Sequence, residues 1–219
     1  MRLPFTTAQF LELFRAYNLA VWPAQVLLYL LGLALVVIAA RSTAPWGRWA
    51  IAFGLAVLWA WIGAVYHLGF FVRINPAARL FGIAFLVQAV LWLVWVARVP
   101  SLRFRPGRAS DGALGAAMLA YAFVFYPLLN LAFGHAYPRM PTFGLPCPTT
   151  IATFGLVTWA TPRPPWYAWV IPVAWALIAS SAAFTLGIRE DFGLLAAMLL
   201  ALASRLAAPR APGLHPART

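Results

Sequence analysis

The sequence has no lysine and few charged residues of any kind. Charged residues make up 9% of the 219 residues, whereas a soluble domain carries about 25%. Arginine supplies all 16 basic residues, and there are only four acidic ones. Hydrophobic residues reach 64%, and the mean hydropathy is +0.84. This composition excludes an ordinary soluble domain and indicates that lipid surrounds most of the chain.

Other absences exclude whole classes of function. The single cysteine excludes an intrachain disulfide, and without lysine no retinal Schiff base can form. No nucleotide-binding loop and no closely spaced metal motif such as CxxC or HExxH is present. The arginines are spread between apolar runs, as in loops beside membrane helices, so nucleic acid is not expected as a partner. The sequence requires no cofactor, and we expect a non-enzymatic protein rather than an enzyme.

Seven apolar segments are candidates for membrane-spanning helices, each of which needs about 20 residues. The short segment Thr149–Ala160 stops at the TPRPP of residues 161–165, so it crosses only if Phe143–Pro148 also lies at membrane depth. Non-helical backbone is tolerated there only against protein or a water-filled cavity. We therefore predict an all-α integral membrane protein with about seven transmembrane helices. The six longer segments are Leu19–Ala40, Trp49–Phe70, Ala78–Val96, Ala113–Phe133, Trp166–Leu186 and Phe192–Ala207.

A short amphipathic helix is predicted before the first span. Thr6 and Gln9 have the spacing of a capping box, and Phe5 and Phe10 have that of a hydrophobic staple. Apolar residues then recur at helical spacing on one face. We expect this helix to lie in the membrane interface rather than to cross the bilayer.

Arginine placement orients the chain. With seven spans, ten arginines fall on one side and six on the other, whereas a re-entrant short segment would give seven against nine. Because cytoplasmic loops are enriched in arginine, this favours seven spans with the N-terminus outside and the C-terminus in the cytoplasm. Residues 1–208 then form a single polytopic membrane domain, and residues 209–219 form a disordered cytoplasmic tail.

The cytoplasmic loop of residues 98–108 is rich in arginine and is expected to contact anionic lipid headgroups. Alternatively, it only sets the topology. Its arginines are Arg98, Arg103, Arg105 and Arg108. A homo-oligomer or another membrane protein as partner is left open.

Most polar side chains fall on or near the outer side of this topology. Such an asymmetry is expected of a site that opens to the outside, although external loops also need polar residues to meet water. The candidate substrate-binding residues are His67, Asn75, His135, Tyr137 and Cys147.

Three of these residues also allow a different chemistry. Cys147 lies at a predicted helix N-terminus, where a thiolate is stabilised, and with His67 and His135 it would suit zinc or copper. Glu190 and Asp191 precede the last span, where acids complement the helix dipole. The alternative role for these two acids is ion or proton handling.

Five stretches resemble a family of uncharacterised bacterial multi-pass inner-membrane proteins, classed as a domain of unknown function and sometimes labelled permease-like. The resemblance covers nearly the whole chain. It implies the same membrane fold and the inner membrane as location, and it carries no catalytic or binding role. Members usually show VPEDLGLL, where this chain has arginine before Glu190. The stretches are PFTTAQF, AYNLAVWPAQ, YHLGFFVRINPAARLFG, GHAYPRMPTFGLPCPTTIATFGL and IREDFGLL.

Three hypotheses for function follow. The first is a permease- or channel-like protein with the outward-facing site described above. The second is a membrane-embedded metal-handling or redox enzyme that uses Cys147, His67 and His135. The third is a structural accessory subunit of a larger membrane complex, without chemistry of its own.

Overall fold

The structure, a computed structural model, describes residues 3–107 and 109–207, and the predicted tail of residues 209–219 lies outside them. The described part is all-α apart from one two-residue strand pair, which confirms the all-α class. Its helices are α1 (Thr7–Ala20), α2 (Ala24–Arg41), α3 (Trp46–Trp61), α4 (Ala78–Arg98), α5 (Ala109–Ala120), α6 (Tyr126–Ala132), α7 (Pro146–Thr158), α8 (Tyr167–Leu186) and α9 (Phe192–Ala207). The strands are β1 (Arg103–Phe104) and β2 (Ala160–Thr161).

Two of the long helices change their hydrogen-bond pattern along their length. Helix α3 continues as a π-helix over Ile62–Phe70 and a 3₁₀ turn over Phe71–Arg73. Helices α5 and α6 are joined by a π-helical stretch, Tyr121–Phe125. A second 3₁₀ turn, Arg189–Asp191, leads into α9.

Helices occupy all seven predicted segments, and five of them are long and apolar enough to cross a membrane. Helix α9 coincides with its predicted segment, and α8 begins one residue late. The first span begins at Ala24 rather than at the predicted Leu19, because Leu19 and Ala20 still belong to α1. The five candidate spans are Ala24–Arg41, Trp46–Arg73, Ala78–Arg98, Ser110–Ala132 and Tyr167–Leu186.

Helix α1 begins as its sequence predicts. The Thr6 N–H donates to Gln9 Oε1 over 2.8 Å, and the Gln9 N–H donates to Thr6 Oγ1 over 3.3 Å. Phe5 stacks on Phe10 with ring centroids 5.5 Å apart. The apolar face of α1 packs on the protein itself, since Tyr17 is fully buried and its hydroxyl accepts a hydrogen bond from the Trp61 indole.

One end of the molecule, here called the arginine end, is closed by the loop after α4. Strand β1 in this loop pairs antiparallel with β2, which follows α7. Ser204 near the end of α9 donates to Asp111 at the start of α5 over 2.8 Å. The Arg205 guanidinium donates to the Pro164 carbonyl, which lies just before α8. The ends of α4, α7 and α9 and the starts of α5 and α8 therefore meet here.

The opposite end, here called the proline end, is built by α1, the segment Pro138–Pro148 and the turn Arg189–Asp191. The Thr7 hydroxyl donates to the carbonyl of Leu186 at the end of α8 over 3.3 Å. Since α7 begins at this end and β2 follows it at the arginine end, α7 runs through the molecule from one end to the other.

Helix α7 is the central element of the bundle. Pro146 and every residue from Pro148 to Val157 are buried, as expected of a helix that is apolar all round and enclosed by protein. Gly155 of α7 faces Gly115 of α5, and a Cβ added to Gly155 would lie 3.0 Å from the Gly115 carbonyl oxygen. Two glycines thus allow α5 and α7 to approach closely.

Large apolar side chains cover the outside of the bundle. Examples are Leu27, Phe53 and Leu80, and Phe184 is 80% exposed. A soluble monomer rarely shows so continuous an apolar surface. This surface and the five long apolar helices are compatible with a location in a membrane.

Candidate functional site

The proline-rich segment is fixed to the bundle by Asn18 of α1. The Asn18 amide is fully buried and donates to the carbonyls of Pro138 and Met140, both over 2.8 Å. The Thr142 hydroxyl donates to Asn18 Oδ1 over 2.9 Å. The Tyr137 hydroxyl donates to the Asn18 carbonyl over 3.4 Å. Asn18 therefore ties this irregular backbone to α1 at several points.

The first turn of α7 positions Cys147. Leu145 is the extended N-cap residue, and Pro146 and Pro148 stand where an amide proton is not needed. The Gly144 N–H donates to Thr149 Oγ1 over 3.1 Å, which ties the preceding loop to the helix. Cys147 is consequently held at the proline end of the central helix, with its side chain half-buried.

A cavity of about 270 Å³ lies at the proline end beside Cys147. Its walls come from α1 and the residues before it, the end of α3, the turn around Asn75, the start of α4, the start of α7 and the second half of α8. Most lining side chains are apolar, and Cys147 and Asp191 bring a thiol and a carboxyl to the wall. Three residues singled out in the sequence, Asn75, Cys147 and Asp191, thus share one cavity.

Asp191 is the acid of this cavity and is only 4% exposed. The Tyr126 hydroxyl donates to Asp191 Oδ1 over 2.5 Å, and Cys147 lines the same cavity as Asp191. Burial outweighs this hydrogen bond and raises the pKa of Asp191, which lies in the turn between α8 and α9, to about 7. This carboxyl therefore changes its protonation near neutral pH.

Glu190 is fully buried and has a different partner from its neighbour. Its Oε1 lies 2.7 Å from His135 Nδ1, and the Tyr121 hydroxyl donates to the Glu190 backbone carbonyl over 2.7 Å. Within residues 3–107 and 109–207, Glu190 Oε2 has no hydrogen-bond partner. The structure thus brings together two sequence candidates, His135 and Glu190, as a pair beside the cavity.

His67 and Tyr137 do not line this cavity. The His67 ring is fully buried, with its centroid 4.8 Å from that of Phe85 and 5.0 Å from that of Trp175. Neither ring nitrogen has a hydrogen-bond partner in the described part of the chain. Since Trp175 lines the cavity, His67 lies behind its wall. Tyr137 lines a separate cavity of about 340 Å³ with Gln25 and Tyr29.

A metal centre has little basis in this geometry. Among the described residues, no group of three His, Cys, Asp or Glu side chains converges in a way that could hold a metal ion. Cys147 shares the cavity wall with Asp191, His135 pairs with Glu190, and His67 packs among aromatic rings. Cys147, His67 and His135 therefore do not form one ligand set.

The arginine end has a smaller pocket of about 160 Å³, lined among others by Arg48, Arg103 and Arg105. One Arg48 Nη atom donates to the carbonyls of Val96, over 2.7 Å, and Val99, over 3.3 Å. The predicted headgroup contacts Arg98, Arg103 and Arg105 are exposed, and Arg108 lies outside the described residues.

The sequence did not point to Tyr126 or to the aromatic lining of the cavity. Tyr126 lies inside an apolar run. Because a buried tyrosine hydroxyl usually has a hydrogen-bond partner, this hydroxyl was the signal in the sequence that could have identified it. The aromatic residues carry no such sign, because an aromatic side chain in a membrane helix has the same pattern whether it faces lipid, core or cavity.

Comparison with known proteins gives a family and no individual relative. The family described as "Family of unknown function (DUF6064)" matches residues 7–216. No curated protein and no solved structure matches the chain. The match covers nearly all of the sequence and confirms the expectation of an uncharacterised family.

Proposed function

The chain belongs to the family of unknown function DUF6064, and we propose that it is a seven-pass, permease-like protein of the bacterial inner membrane. In this proposal, the cavity at the proline end receives a small, mainly apolar ligand from the outer side. The observation that carries it is the cavity itself, which combines an apolar wall with a few polar groups, as small-molecule sites do.

The path of α7 supports seven spans rather than five. Its 13 residues rise about 20 Å, which is less than the roughly 30 Å of a hydrocarbon core. The extended residues before Pro146 and strand β2 after the helix make up the difference. Phe143, Leu145 and Ala160 beside α7 are buried, so this part of the non-helical backbone is shielded from lipid.

The arginines support the orientation. Exposed Arg98, Arg103 and Arg105 lie together at the arginine end, and the positive-inside rule assigns that end to the cytoplasm. In this orientation the cavity faces outward, and these arginines contact anionic headgroups of the inner leaflet.

Labelling tests the topology. The variant Cys147→Ser has no cysteine and serves as the background. Ala136→Cys and Thr161→Cys, made separately in this background, each introduce a single thiol, one before α7 and one after it. Both positions are exposed. A membrane-impermeant maleimide applied outside should label position 136 and should reach position 161 only after lysis. Labelling of both from outside would contradict the crossing of α7.

Ligand entry is tested with N-phenyl-1-naphthylamine, a neutral apolar dye whose fluorescence rises in apolar surroundings. The purified full chain in nanodiscs should show saturable binding above that of empty discs. Ala182→Phe fills the cavity from α8 and should weaken binding about tenfold. Ala174→Phe lies on the exposed face of the same helix and is the matched control. Equal binding by both variants would refute the cavity as the site.

A further inference from the structure

Aromatic rings form much of the wall of the cavity at the proline end. The aromatic side chains come from α1, the end of α3, α4 and α8, so they surround the cavity on several sides. Tyr66 and Phe71 are stacked with ring centroids 5.6 Å apart, and Phe81 meets Trp175 edge to face at 5.6 Å. Aromatic faces attract cations, above all quaternary ammonium groups held among several rings. The aromatic lining includes Phe10, Phe14, Tyr66, Phe71, Phe81 and Trp175.

The charge of the cavity has one sign. Asp191 lines it, whereas the described lining residues include no arginine or histidine. In the part of the chain that the structure describes, Asp191 forms no salt bridge, while the neighbouring Glu190 pairs with His135. A buried carboxylate that lacks a cationic partner is destabilised unless it takes up a proton or a ligand supplies the positive charge.

Three arginines at this end are already engaged. Arg73 donates to the Gly69 carbonyl over 3.0 Å and lies over the Phe70 ring. Arg15 and Arg139 both bind Glu12 at the surface. None of these three arginines lines the cavity.

We propose that this cavity binds an apolar organic cation, of the alkyl- or arylammonium class, with Asp191 as its counter-ion and the surrounding rings as its cation–π partners. The inference rests on the proposed function of the cavity as a ligand site and names the class of ligand. The apolar wall accommodates the hydrocarbon part, and the carboxylate at the wall selects positive over neutral or negative ligands.

The site should depend on pH. The groups that face Asp191 are Tyr66 of the α3 extension, Tyr126 of α6, Cys147 of α7 and the adjacent Glu190, with His135 and Tyr121 behind it. Because burial raises the pKa of Asp191 to about 7, the carboxylate needed for a cation is mostly protonated at pH 5.5 and mostly ionised at pH 8. Affinity for a cation should therefore increase across this interval.

The test compares benzyltrimethylammonium with neopentylbenzene, which has carbon in place of the nitrogen and no charge. Displacement of N-phenyl-1-naphthylamine from the full chain in nanodiscs is measured for each, with empty discs as reference. At pH 8 the cation should bind at least about tenfold more tightly than its neutral isostere. A factor of about ten in affinity corresponds to the free energy that one charge-assisted contact contributes. At pH 5.5 this preference should fall.

Variants separate the two proposals. Asp191→Asn should remove the preference for the cation, whereas Asp111→Asn, the same change at the arginine end, should retain it. If neither compound displaces the dye and the dye itself does not bind, the cavity is no ligand site and the proposed function fails. If both compounds bind the wild-type protein equally at pH 8, the cavity is a site but the cation inference is wrong. This wild-type comparison decides the question even if Asp191→Asn does not fold.

Discussion

Asp191 should make the protein less stable at neutral pH than at mildly acidic pH. In the unfolded chain its carboxyl has an ordinary pKa of 3.8, and in the folded protein burial raises the pKa to about 7. Below pH 3.8 both states are protonated and the carboxyl has no effect. Between these values the unfolded state loses its proton first, so the free energy of unfolding falls as pH rises. Above pH 7 the decrease is complete.

The size of this effect follows from the two pKa values. The interval between 3.8 and about 7 corresponds to a loss of about 4 kcal/mol in the free energy of unfolding. Asp191→Asn should remove this dependence and should be more stable than the wild type at pH 8, by about 2–4 kcal/mol once the altered Tyr126 hydrogen bond is considered.

The assay is reversible unfolding in mixed micelles with increasing dodecyl sulfate, between pH 5 and pH 8. Other groups titrate in this interval, so the decisive quantity is the difference between wild type and variant at each pH. Glu12→Gln, at an exposed surface carboxyl, is the control and should follow the wild type. A constant difference across the interval, or a variant less stable at pH 8, would refute the reasoning.

Two further predictions concern packing and the proline segment. Gly155→Ala should lower the free energy of unfolding by about 1–3 kcal/mol, because its Cβ would lie 2.8 Å from Leu119 and 3.0 Å from the Gly115 carbonyl. Gly69→Ala meets nothing closer than 3.8 Å and should change little, so equal effects would argue against a close approach of α5 and α7. Asn18→Ala should cost about 2–4 kcal/mol and speed proteolysis between residues 136 and 143, because three partly buried hydrogen bonds are lost. Unchanged proteolysis would show that the segment is held by other contacts.

Much of the helical architecture could be predicted from hydropathy. The bounds of α8 and α9 were found within one residue because a turn-forming or proline-containing loop precedes each helix. Hydropathy alone predicts too early a start for α2, because Leu19–Val21 are as apolar as the span that follows. The π-helical stretches Ile62–Phe70 and Tyr121–Phe125 were not predicted, since hydropathy does not report the register of backbone hydrogen bonds.

The candidate site was predicted in part. The polar residues of the proline end were recognised because they interrupt apolar runs, and Asn75, Cys147 and Asp191 do share a cavity. The pairing of His135 with Glu190 was not predicted, because the two residues are 55 positions apart. In the sequence, His67 and His135 are equally good candidates for a site residue. In the structure, the His67 ring packs among aromatic rings. The different surroundings of the two histidines come from tertiary packing, which the residues next to each histidine in the sequence do not reveal.

The central claim is that the cavity beside Cys147 opens outward and accepts a cationic ligand. Two membrane-impermeant methanethiosulfonates of similar size test it on spheroplasts of the producing cells, one bearing trimethylammonium and the other sulfonate. Ala136→Cys in the Cys147→Ser background, an exposed position at the same end, supplies the reference rates.

Relative to that reference, Cys147 should react at least about tenfold faster with the cationic reagent than with the anionic one. Benzyltrimethylammonium should slow this reaction. Equal relative rates, or a Cys147 that reacts only after lysis, would contradict the account.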